Sequence, residues 1–80
     1  MASKRETQRT VGLRIREARM VAGISPPMLA LLAGMKTGDV GLLEIGQKEL
    51  DLPLMKSVAV ALGVKLAVLW PEGGDELCAA

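Results

Sequence analysis

The chain reads as all-α, a single domain of five short helices, on three observations. Apolar residues recur at spacings of three and four, with no period-two run of useful length. A glycine stands where most of these stripes end, as expected of helix C-caps that need positive φ. The chain has 80 residues and is 50% hydrophobic, which fits one small packed domain and is too apolar for a disordered chain.

Residues 1–8 read as a flexible basic arm, 9–71 as the folded domain and 72–80 as a flexible tail. Helical periodicity is traceable from about Glu6 to Ala22, with Val11, Ile15, Ala18 and Ala22 on one stripe and Gly23 as the stop. Ser25-Pro26 starts a second helix, with Ser as N-cap and Pro at the first helical position. It runs to Ala33, with Met28, Leu29 and Leu32 expected to face the core and Gly34 to end it. The third helix, 37–45, is poor on propensity, because Gly38 and Gly41 each cost about 1 kcal/mol relative to Ala. Thr37 is its expected cap, and Asp39 suits the positive end of its dipole. Residues 47–52 form a loop. Pro53 opens a fourth helix whose stripe is Leu54, Val58, Ala61 and Leu62, ended by Gly63. A last turn at Leu66–Leu69 leads to Trp70-Pro71.

Composition excludes several functions. There is no His and one Cys, Cys78, so a His-based triad, a His-containing zinc site and an intramolecular disulfide are all ruled out. Carboxylates such as Glu49 and Asp51 are scattered; no enzyme chemistry, metal or cofactor is expected. No apolar run spans a membrane and no signal-peptide core follows Met1, which predicts a cytoplasmic protein. Net charge is only +1, yet 1–36 carries +5 and 37–80 carries −4. A basic amino-terminal half suits an anionic partner, of which nucleic acid is the usual one; charge alone is as readily that of a solvated arm and an ordinary charged helix face, the commoner case.

The ordered set Gly12, Ile15-Arg16, Ala18-Arg19, Gly23-Ile24-Ser25, Leu29-Ala30, Gly34-Met35, Val40, Glu44-Ile45-Gly46, Leu52-Pro53, Ala59, Ala61-Leu62-Gly63-Val64 and Leu69 resembles the phage-repressor/Cro-type (XRE-like) helix-turn-helix family. The likeness runs without gaps over about residues 9–70. It implies a lambda-repressor-like five-helix DNA-binding domain, usually a homodimer on a palindromic operator. Pro26–Ala33 and 37–45 would be the helix-turn-helix, with the latter in a major groove, whose width of about 12 Å admits a helix. It also implies a structural ion pair, Arg19 with Glu44.

Departures from the family fall on the functional face. Where relatives usually carry a Gln after the second helix's cap, this chain has Pro26-Pro27, so two backbone donors for a phosphate are missing; the Ser25 hydroxyl is a partial substitute. The family's base-contacting positions hold Thr37, Gly38, Gly41 and Leu42, with none of the Asn, Gln or Arg that make bidentate base contacts. Lys36, Gln47 and Lys48 are placed for phosphates. Lys4, Arg5 and Arg9 suit phosphates or a minor groove, or serve only to solubilise the arm. Three readings of the third helix stay open: backbone and shape readout, ordering on binding, or presentation of Leu42 and Leu43 to a protein. The expectation is a DNA-binding regulator, a repressor acting as a homodimer. The alternative is an interaction module of antitoxin or antirepressor type. Val64, Leu66, Leu69 and Trp70 form the expected dimer contact.

Overall fold

A computed structural model describes residues 3–71. The chain runs α1 (Lys4–Ala22), α2 (Pro26–Ala33), α3 (Thr37–Glu44), α4 (Leu52–Leu62) and α5 (Leu66–Leu69). The tail expected at 72–80, with Cys78, lies outside the described residues. Among those described, no helix is long and apolar enough to cross a membrane.

The arm expected at 1–8 is corrected from Lys4 onward, since α1 begins there. Ser3 is its N-cap, and the Glu6 N–H donates to Ser3 Oγ at 3.1 Å. Ser3 and Glu6 have the spacing of a capping box, and that local bond is enough to extend the helix two turns ahead of its apolar stripe. Lys4, Arg5 and Arg9 are therefore fixed along a helix.

The core draws on every helix: Val11 and Ile15 of α1, Leu29 and Ala30 of α2, Val40 and Leu43 of α3, Met55, Val58, Ala59 and Leu62 of α4, and Leu69 of α5. Helix α2 packs on both α3 and α4, and α1 crosses α3, α4 and α5. At the α1–α3 crossing the residue must be glycine. A Cβ on Gly12 would collide with the Leu43 carbonyl oxygen and lie 2.7 Å from that of Glu44.

Two inward assignments, one cap and one helix start change. Met28 and Leu32 are exposed (44% and 54%), while Leu29 is buried as expected and Ala30 joins it. Helix α2 is apolar nearly all round, so composition does not tell its faces apart, and its two neighbours choose the side. Thr37 does not cap α3. It is already helical, and Lys36 occupies the cap with no side-chain bond. Helix α4 starts one residue early at Leu52, because Asp51 Oδ1 accepts from the Leu54 N–H at 2.8 Å and caps it.

Candidate nucleic-acid interface

Helix α2, the turn at Gly34-Met35-Lys36 and α3 form a helix-turn-helix. Gly34 is left-handed at φ 70° and ends α2, and the Met35 N–H returns to the Ala30 carbonyl at 2.9 Å. Arg19 clamps the assembly from α1. Its Nε donates to Glu44 Oε2 at 2.7 Å and its Nη2 to Oε1 at 3.2 Å, while Nη1 reaches the Ile24 carbonyl at 3.0 Å. One guanidinium thus ties α1, the α1–α2 turn and the end of α3. The Glu44 hydrogen bond raises the Arg19 pKa above its ordinary value, and the bidentate geometry adds directional strength.

The start of α2 offers no cradle for an anion. Pro26 and Pro27 have no N–H, that of Met28 goes to Ser25 Oγ at 3.3 Å, and that of Leu29 goes to the Ser25 carbonyl at 3.0 Å. Ser25 Oγ accepts in the cap, which leaves its O–H as the side-chain donor at this helix start. At the start of α3 the situation is reversed: the N–H groups of Thr37 and Gly38 have no acceptor among the described residues, as befits a first turn. Lys36 stands beside them.

Thr37, Gly38, Gly41 and Leu42 all lie on the exposed side of α3. Beyond its end the chain folds back tightly, with the Gln47 N–H donating to the Leu42 carbonyl at 2.8 Å. Gly46, at φ 78°, rests on α1, where an added Cβ would fall 2.8 Å from the Arg9 Cα and Cγ. Arg9 is thereby brought beside Gln47 and Lys48.

Two residues that the sequence did not single out hold this loop. Gln8 Nε2 donates to the Lys48 carbonyl at 2.6 Å, and Glu49 accepts from Lys4 Nζ at 2.5 Å. Lys4, expected to meet phosphate, pairs here with Glu49 in an exposed ion pair, and the hydrogen bond holds the Glu49 carboxyl below the usual range. Lys36, Lys48, Arg5, Arg9 and Arg16 have no carboxylate partner among the described residues. Arg16 was also unforeseen, although it follows Arg9 by seven positions. At about 3.6 residues per turn, Arg5, Arg9 and Arg16 share roughly 40° of the α1 surface.

At the α5 end, Leu69 is 1% exposed, which corrects its expected place in a dimer contact: it fills the core. Val64, Leu66 and Trp70 are half-buried against that core. Val60 and Val68 are the large exposed apolar residues of α4 and α5.

No family model matches the chain, and no curated protein does. Solved structures do. The restriction-modification controller protein C.AhdI from Aeromonas hydrophila is 33% identical, with a TM-score of 0.76 over 79% of this chain and 96% of that one. The chain belongs to the Cro/XRE-type helix-turn-helix regulators. The clp gene regulator ClgR from Corynebacterium glutamicum gives a TM-score of 0.78 at 31% identity, covering 86% of this chain and 90% of that one. A second ClgR structure gives 0.80 at 26% identity, covering 96% and 82%.

Proposed function

We propose that this Cro/XRE-type regulator binds duplex DNA with α3 in the major groove and represses by occupying a palindromic operator as a homodimer. The observation that carries the reading is electrostatic. The acids nearest the α3 end are bound internally, Glu44 by Arg19 and Glu49 by Lys4, while Lys36, Lys48 and Arg9 are left without carboxylate partners. Cations around an exposed helix suit two phosphate strands flanking a groove. Val64, Leu66 and Trp70, with exposed Val68, supply the dimer contact.

The test is anisotropy of a labelled duplex over a salt series. Substituting Lys36, Lys48 or Arg9 by Ala should weaken binding across sequences and flatten the log–log salt slope by about one for each phosphate left unneutralised. Lys4→Ala should change the slope less, because Lys4 serves Glu49. An unchanged slope after removing Lys36 and Lys48 together contradicts the assignment.

The apolar exposure of Leu42 and Ile45, 44% and 61%, favours a second reading, a protein-interaction module on the same scaffold. Leu42→Arg separates the two. In a protein-binding module it abolishes partner binding and leaves DNA affinity intact or raised.

A further inference from the structure

The solvent face of α3 is apolar where a groove-reading helix ordinarily presents amides or guanidinium groups. At about 3.6 residues per turn, Gly38, Gly41, Leu42 and Ile45 fall within roughly 100° of arc. Leu42 and Ile45 are 44% and 61% exposed, and a Cβ added at Gly38 or Gly41 would meet nothing within 4 Å. The Thr37 hydroxyl, at one edge, is the polar side chain closest to this arc. Cations stand at its two ends: Lys36 precedes the helix, and Arg9 lies against Gly46 in the loop that follows, two residues before Lys48.

The major groove carries one apolar feature on its base edges, the pyrimidine 5-methyl group of thymine, which methylated cytosine shares. We propose that α3 recognises pyrimidine 5-methyl groups through Leu42 and Ile45, with Gly38 and Gly41 letting the helix backbone sit close to the base edges. The inference deepens the DNA-binding reading and rests on it. The unpaired cations favour a duplex as occupant over a protein helix. Cations at both ends of the apolar strip suit phosphates, Asp39 lies outside the strip on the helix flank, and burial of one methyl group stabilises by about 0.8 kcal/mol.

The experiment uses a duplex selected by the full-length protein from a random library. It is resynthesised with deoxyuridine for thymidine at one position at a time, and separately with 5-methylcytosine for cytosine. The native protein, Leu42→Ala and Ile45→Ala are titrated against each, after circular dichroism shows that both variants are folded. Removing a contacted methyl should weaken native binding about fourfold. The variant lacking the contacting side chain should lose that dependence at the same position. Sensitivity to deoxyuridine assigns the contact to thymine, and tighter binding to the methylated duplex assigns it to methylcytosine. Native affinities within twofold of one another in both arms, or variants as methyl-sensitive as the native chain, overturn the proposal. Failure of the native protein to bind any duplex at low salt overturns the DNA reading itself, and the proposal with it.

Discussion

Helices α2 and α3 are both eight residues long and share one turn, yet they are held in opposite ways. Helix α2 carries its own punctuation. Ser25 caps it, two prolines fix its first turn, and the Gly34 N–H returns to the Ala30 and Leu31 carbonyls. Helix α3 has no side-chain cap and two internal glycines, each costing about 1 kcal/mol. It is held from outside: Val40 and Leu43 are both fully buried, Arg19 grips Glu44, and α1 lies against its end at Gly12. In this helix-turn-helix the supporting helix is encoded locally, while the exposed helix is encoded by its neighbours. The outer face of α3 is therefore free to vary without cost to the fold.

The contrast breaks most readily at its tertiary anchor. Glu44→Ala leaves a largely buried guanidinium without its carboxylate and should cost about 3 kcal/mol in denaturant unfolding. A loss below about 1 kcal/mol would mean that α3 does not depend on the clamp. Gly12→Ala comes next. Its methyl would press on the Leu43 and Glu44 carbonyls, so a loss of about 2 kcal/mol is expected despite the gain in helix propensity. Ser25→Ala should cost about 1 kcal/mol, whereas Lys36→Ala should be near neutral, since the α3 cap makes no side-chain bond. Gly41→Ala reverses the sign. The site is open, and stability should rise by up to about 1 kcal/mol. A fall would mean that α3 needs glycine there for its own backbone.

The smallest effect is on pH. Lys4 lowers the Glu49 pKa, so this ion pair favours the folded state at neutral pH and is lost as pH falls through the depressed folded value. An NMR titration should place the Glu49 midpoint below the ordinary carboxylate range, and Lys4→Ala should return it there.

Helices α1, α2 and α4 are legible because their signals are local: side-chain caps, glycine stops and apolar spacing, with prolines at the starts of α2 and α4. Where the boundaries differ, a local signal accounts for it. Ser3 and Glu6 spell the start of α1, and Asp51 spells that of α4. The faces of α2 are not legible, since Met28, Leu31 and Leu32 are as apolar as Leu29 and only packing separates them. At the site, α3 and its exposed positions follow from the family resemblance, as does the Arg19–Glu44 pairing across 25 residues. The bond from Gln8 to the Lys48 carbonyl is beyond reach, because a backbone acceptor leaves no trace in residue identity. Ile45 is within reach, four positions after Gly41 on the same face.

The most direct test of DNA reading by this face is selection of the purified protein against random duplexes at two salt concentrations. The expected result is an enriched palindromic motif, with half-sites about one helical turn apart, that persists at the higher salt. Salt-sensitive binding without any motif would contradict it, leaving only nonspecific attraction to the basic residues of α1.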